Sequence, residues 1–201
     1  MKKLIFTLLT LVWLAGCTTI APSTTNVEWQ AHQTRLNELT DYEVSGKLGY
    51  IAPDQRQSLN FHWSHSDQSS QLRLTTFLGQ TVLNLEINPY LAKVRTHDGG
   101  IYTDVSADNL VYHLTGLSIP IEDLQDWLLG KPSNADNYLL NENNTLASLD
   151  KVVSRQPWRL NYARYMDIDL DQQPLPLPNS LKLTNQDIKL NILVSKWDIK
   201  Q

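Results

Sequence analysis

The chain has 201 residues, 41% of them hydrophobic, and carries 17 Lys and Arg against 21 Asp and Glu, a formal charge of −4. That length suits one domain with a sizeable core. The acidic balance, with no basic cluster, argues against nucleic acid and against a polybasic membrane patch, and the single cysteine, Cys17, leaves no disulfide within the chain.

The chain opens with Lys2 and Lys3, an apolar run from Leu4 to Leu14 (LIFTLLTLVWL), and the small-residue junction Ala15-Gly16-Cys17. A run of this length is too short for a spanning helix and matches a secretory signal over 1–16. Its removal takes away Lys2 and Lys3, so the remaining 185 residues hold 15 basic and 21 acidic groups, a charge of −6, and work outside the cytoplasm. Leu14-Ala15-Gly16-Cys17 resembles the lipobox of bacterial lipoproteins. That resemblance implies a diacylglycerol on the Cys17 thiol, cleavage before it and acylation of the new amino group; an ordinary signal with an incidental cysteine is the alternative. Several acyl chains anchor durably where one does not. Thr18, in place of an aspartate, implies the outer membrane by the same resemblance.

Residues 17–26 comprise the lipidated cysteine and a polar tether, and 27–201 form a single domain. A helix is predicted over 27–40, with Trp29, His32, Leu36 and Leu39 near one face. From Tyr42 the period changes to two. Tyr42, Val44, Leu48 and Tyr50 share a side, followed by Leu59, Phe61 and Trp63, then Leu72 and Leu74, then Leu83, Leu85 and Ile87. Such alternation predicts antiparallel strands with one apolar and one wet face, joined as hairpins. Between two of them lies LTTFLGQTV, where Phe77 and Leu78 stand in a turn that is ordinarily polar.

LAKVRT and IYT give two short strands. Two helices follow: SADNLVYHLTG, capped by Ser106 and closed by Gly116, and PIEDLQDWLLG, with Pro120 in its first turn and Glu122 and Asp123 placed for its dipole. Leu110, Leu114 and Leu117 form one stripe, and Ile121, Leu124 and Leu128 another. NYLLN, TLASLDKVV and RQPWRLNYARY are strands. DQQPLPLPN is expected not to be an internal strand, because its prolines lack amide donors; SLKLT and DIKLNILVSKW close the chain as a hairpin, with Ile188, Leu190, Ile192 and Val194 facing one way. The fold class is mainly β with α. A single curved antiparallel sheet of about eleven strands forms an unclosed barrel, covered by two or three helices around an apolar cavity.

Nothing in the pattern supports catalysis. Histidines at 32, 62, 65, 97 and 113 are scattered, G-x-S-x-G and H-E-x-x-H motifs are absent, and His62 and His65 fall on opposite faces of one strand. Trp29, Trp63, Trp127, Trp158 and Trp197 either fill a core or border an open pocket; alternation alone does not separate the two.

LTTFLGQTVLNLEI at 74–87, LTGLSIPIEDLQDWLLGKP at 114–132 and the terminal LKLTNQDIKLNILVSKW, together with the lipobox, resemble the outer-membrane lipoprotein receptors of the bacterial lipoprotein localisation pathway, the LolB family. The resemblance runs along essentially the whole mature chain. It implies an anchored, non-enzymatic receptor on the periplasmic face of the outer membrane, without metal, nucleotide or other cofactor. Its partners are a periplasmic lipoprotein carrier, acylated lipoprotein cargo and outer-membrane phospholipid. It further implies a membrane-insertion loop at Phe77, Leu78 and Gly79, in which Leu78 matches the family's exposed leucine and Phe77 replaces a proline of its relatives; Phe77 and Leu78 folded back on their own sheet is the alternative. The acyl-chain cavity is expected at Val44, Leu48, Phe61, Trp63, Leu72, Leu74, Leu83 and Leu85, with Leu124 and Leu128 from the helical cover. A soluble lipid carrier with other cargo and a structural outer-membrane lipoprotein are the competing readings.

Overall fold

A computed structural model of the chain describes residues 21–96, 99–116, 119–153 and 155–200. The expected signal over 1–16, Cys17, Thr18, His97 and Leu117 lie outside them. Among the described residues, eleven antiparallel strands form one sheet in the order β6-β5-β4-β3-β2-β1-β11-β10-β9-β8-β7. They are β1 (Tyr42–Ile51), β2 (Arg56–His65), β3 (Ser70–Thr75), β4 (Thr81–Ile87), β5 (Ala92–Arg95), β6 (Ile101–Asp104), β7 (Asn137–Leu140), β8 (Leu146–Val153), β9 (Gln156–Leu170), β10 (Gln173–Thr184) and β11 (Lys189–Ile199). The last strand returns to pair with the first along its whole length. β6 and β7 therefore become the two free edges, and the sheet stays unclosed.

Period-two alternation decides which face is covered. Leu59, Phe61 and Trp63 of β2, Leu72 and Leu74 of β3, and Leu83 and Leu85 of β4 are all buried and stack across neighbouring strands. Leu190, Ile192 and Val194 continue the same layer on β11. Helix α1 (Trp29–Asn37) precedes the sheet, and α2 (Ala107–Thr115) and α3 (Ile121–Leu129) occupy the connection from edge β6 to edge β7. α2 packs on β5 and β6, and α3 reaches β10.

Three expectations are corrected. α1 is shorter than 27–40, because Glu28 is its cap: the carboxylate accepts hydrogen bonds from Gln30 N at 3.0 Å and Ala31 N at 2.7 Å. Pro120 stands one position before α3 rather than in its first turn. DQQPLPLPN, expected not to be an internal strand, is largely built into β10.

Its prolines are tolerated because the sheet splits there. Over Gln173–Pro178 the strand pairs with β9, and pairing with β11 begins only at Ser180. Pro174, Pro176 and Pro178 fall at every second position, so their nitrogens and carbonyls point to one side, the unpaired one. The carbonyls of Pro174 and Pro178 show this: they accept from Arg35 Nη1 at 2.9 Å and Trp197 Nε1 at 3.1 Å. Missing N–H groups cost nothing on an edge. Arg35 also donates to the carbonyls of Leu170 and Gln173, so α1 covers the split with a guanidinium where a neighbouring strand would have been.

Candidate functional site: an apolar hollow beneath the helical cover

Between the β1–β4 part of the sheet and helices α2 and α3 lies a cavity of about 130 Å³. Eight of the ten expected cavity residues meet there. Leu48, Phe61, Trp63, Leu72, Leu74 and Leu83 form its sheet side, and Leu124 and Leu128 close it from α3. Val44 and Leu85 share the apolar face but do not border the space. Val44 stands in register between Trp63 and Trp197. Leu85 stands between Leu72 and Val94, next to strands β5 and β6 on which α2 packs. Parity identified the face; large neighbours and helix contact decided which part is solid.

Further lining residues come from positions that the alternation already placed inward, Leu59, Leu190 and Ile192, and from the cover, Val111, Ile119 and Ile121. Val82 has no such signal. Pairing shifts between Leu74↔Leu83 and Thr75↔Thr81, so Val82 is an extra residue in a β-bulge, which re-aims its side chain. It lines the cavity and is still 48% exposed, marking the mouth. Gln55, Gln57 and Thr115 are the polar lining residues. Of the five tryptophans expected in core or pocket, Trp63 borders the hollow. Trp127, Trp158 and Trp197 are buried elsewhere, and Trp29 packs against the core edge with its ring 5.6 Å from that of Tyr138.

The cover is built from capping chemistry. Ser106 Oγ accepts from Asn109 N, and Gly116 and Gly130 close the helices in the left-handed region at φ of 71° and 85°. Glu122 and Asp123 were expected to serve the dipole of α3, and Glu122 does more. Its carboxylate accepts from Ser106 Oγ and Ala107 N, both at 2.8 Å, while its own N–H donates to Asp108 Oδ1 at 3.1 Å. The two helix starts therefore cap one another. Burial, above all, pushes the Asp108 carboxyl up to about 6. The far end of α3 is fixed to the sheet, with Tyr162 Oη donating to Trp127 O at 2.9 Å.

Phe77 and Leu78 do not fold back on the sheet: they are 85% and 73% exposed. The turn is closed beneath them, with Thr76 N donating to Gln80 O at 2.9 Å and Gly79 N to Thr76 O at 3.0 Å. Gly79 sits at φ of 84°, a left-handed position that admits glycine without strain. Because the strands alternate in direction, the β3–β4 turn lies at the same end of the sheet as the β1–β2 turn that carries Gln55. The mouth and the apolar tip are thus neighbours at one end.

His62 faces outward, 3.7 Å from Glu43, whereas His65 packs on Tyr42 and lies 2.7 Å from Ser70 Oγ, as expected for opposite faces. Among the described residues no helix is long and apolar enough to cross a membrane, and no group of three or more His, Cys, Asp and Glu is placed to hold a metal.

Comparison with known proteins agrees on one relationship. The family model for the outer membrane lipoprotein LolB matches residues 40–197. The chain is 52% identical to the outer-membrane lipoprotein LolB of Vibrio vulnificus over 94% of each sequence, and 48% identical to that of Vibrio cholerae over 98% of this chain and 97% of the relative. The corresponding protein of Pectobacterium atrosepticum is 32% identical across 93% of this chain and 91% of its own. Among solved structures, an outer membrane lipoprotein-sorting protein domain from Vibrio parahaemolyticus superposes with a TM-score of 0.58 at 10% identity, covering 86% of this chain and 90% of that one. A LolA superfamily protein from Nitrosomonas europaea gives 0.52 at 10% identity, over 87% and 94%. At that identity the likeness concerns the fold.

Proposed function

The chain belongs to the LolB family of outer-membrane lipoproteins, and on that footing we propose that the hollow beneath α2 and α3 is where it holds the acyl chains of its cargo. It is a receptor of the outer membrane that takes lipoproteins from a LolA-like carrier and delivers them to that membrane; it binds and passes on, without catalysis. The single observation that carries the acyl-chain reading is the composition of the space: a hollow walled by Phe61, Trp63, Leu72 and Leu74 on the sheet and by Leu124 and Leu128 above. An exposed acyl chain costs about 0.8 kcal/mol per methylene in water, which an apolar enclosure avoids. A structural lipoprotein has no need of such an enclosure.

At about 130 Å³ the space is close to that of an engineered cavity of roughly 150 Å³ that takes one benzene. A long acyl chain therefore requires the cover to move outward. The mutually capped starts of α2 and α3 make them a unit, so we place the movement in that pair against the sheet. Residues 1–16 are the signal, Cys17 carries the lipid, and residues 27–201 are the receptor domain. The Phe77-Leu78-Gly79 turn is the part that enters phospholipid, supported by its exposure at the mouth end. A chain leaving the mouth emerges beside an apolar tip, which shortens its passage through water.

A fatty chain brominated along its length tests the assignment. Entry into the hollow quenches Trp63 fluorescence, and Trp63→Phe removes most of that quenching. Equal quenching in both proteins would put the chain elsewhere.

A further inference from the structure

The hollow is apolar nearly all the way round, but its mouth carries two carboxamides in positions that require a reason. Gln57 falls on the inward parity of β2, where the next three inward positions, Leu59, Phe61 and Trp63, are buried and apolar. It stands opposite Tyr50 of β1, itself an inward residue. Gln55 lies two residues earlier, at the β1–β2 turn, whose backbone is closed by Ala52 N to Gln55 O at 2.8 Å. Both side chains line the hollow and both are half-buried. Neither carboxamide has a hydrogen-bond partner among the described residues. Thr115, the other polar lining residue, differs: its hydroxyl donates to Val111 O within its own helix at 2.6 Å.

Neither carboxamide is among the fully buried polar atoms, so at the mouth each keeps two N–H donors and a carbonyl acceptor open to whatever enters. A hydrocarbon supplies nothing to pair with them. The root of a lipidated cysteine does: its glycerol carries ester carbonyls and its amino end an amide carbonyl, all at the point where the chains leave the polar peptide. We propose that Gln55 and Gln57 form a polar collar that donates to the carbonyl oxygens at the root of an acylated ligand, while the methylenes lie deeper against Leu59, Leu72 and Leu74. The inference rests on the acyl-chain reading of the hollow and adds the part of the ligand that sets its depth and class. Ester carbonyls are shared by lipoprotein and diacyl phospholipid; the amide belongs to the triacylated peptide alone.

The test compares three probes on the protein lacking its lipid anchor: a synthetic triacylated lipopeptide, a diacyl phosphatidylethanolamine and the hydrocarbon diphenylhexatriene. The double variant Gln55→Leu/Gln57→Leu is expected to bind the lipopeptide about tenfold more weakly, the effect of losing one or two net hydrogen bonds, with diphenylhexatriene unchanged. Gln55→Glu/Gln57→Glu keeps the side-chain size and removes the donors, and is expected to lose lipopeptide affinity as well. Loss confined to the lipopeptide assigns the collar to the amide; equal loss with phosphatidylethanolamine assigns it to the esters. Unchanged lipopeptide affinity in both variants, with normal hydrocarbon uptake, overturns the collar and leaves the hollow standing. A wild-type protein that takes up none of the three overturns both.

Discussion

Ser23 Oγ donates to Asp167 Oδ1 at 2.6 Å across 144 positions of sequence, and Thr25 Oγ1 donates to Oδ2 of the same carboxylate at 2.9 Å. Both residues fall in the segment expected to be a polar tether. Ser23 N also donates to Tyr165 O, Val27 N to Asn143 O, and Asn144 Nδ2 to the Asn26 side chain and Val27 O. The strap is thus fastened along β9 and the β7–β8 turn well before α1 begins. Between Cys17 and Ser23, fully extended chain reaches at most about 20 Å. With the lipid proposed at Cys17, that length bounds how far the domain can stand from its membrane.

Asp167→Ala is expected to free residues 23–26 while leaving the domain folded. Hydrogen exchange should show the Ser23 amide exchanging faster, with global stability lowered by about 1 kcal/mol or less, since the contacts are exposed. Undiminished protection of Ser23 would mean that the backbone contacts alone hold the strap.

At the hairpin tip, Leu78→Glu should leave thermal unfolding within about 0.5 kcal/mol of the parent, because the side chain touches little. Delivery of cargo into vesicles should fall sharply, with uptake from the carrier kept. Unchanged delivery by this folded variant would remove the tip from the insertion step.

Packed and hollow parts of the same apolar face should respond oppositely to added volume. Leu85→Phe enlarges a side chain held between Leu72 and Val94 and is expected to cost about 1–3 kcal/mol. Leu48→Phe points into free space, so stability should change by less than about 1 kcal/mol while acyl-chain binding weakens. Urea denaturation beside a binding titration separates the two; equal destabilisation would argue that the space is filled.

His32 supplies a pH signature of the fold. Burial first, and Arg35 second, push its imidazole down to about 4. The folded protein keeps it neutral, whereas the unfolded chain takes up a proton below about 6.5. Its contribution is therefore full above that pH and is lost as pH falls towards 4, by roughly 3 kcal/mol in all. Asp108 acts in the opposite sense, because its raised value makes the folded state the better proton acceptor through the overlapping window up to about 6. Subtracting a His32→Leu variant isolates the histidine: the stability difference between pH 7.5 and 4.5 should shrink by about 2–3 kcal/mol, and an unchanged difference would contradict its burial as a neutral group.

Much of this molecule is legible in one sequence because one face of the sheet is greasy and the other wet. The inward sets on β1, β2, β3, β4 and β11 follow from alternation alone, and Ser106 and Gly116 delimit α2 by capping chemistry. The misreadings have a common origin in tertiary context. Pro174, Pro176 and Pro178 argue against a strand paired on both sides, and no local pattern reveals that β11 departs from β10 there. Val82 escapes the pattern because a bulge shifts its parity. Val44 and Leu85 share the face of the hollow without sharing the hollow, since that depends on what packs above them. Gln57 shares the parity of Leu59, Phe61 and Trp63, but only beside a cavity does its polarity acquire meaning.

The most direct test of the account follows cargo through the hollow. A LolA-like carrier is loaded with a triacylated lipoprotein bearing a fluorophore on one acyl chain, and the receptor, without its anchor, is added before vesicles. The label should move to the receptor first, with energy transfer from Trp63 that the Trp63→Phe variant lacks, and then to the vesicles. Passage straight from carrier to vesicle, with no interval on the receptor, would contradict a hollow that shelters acyl chains.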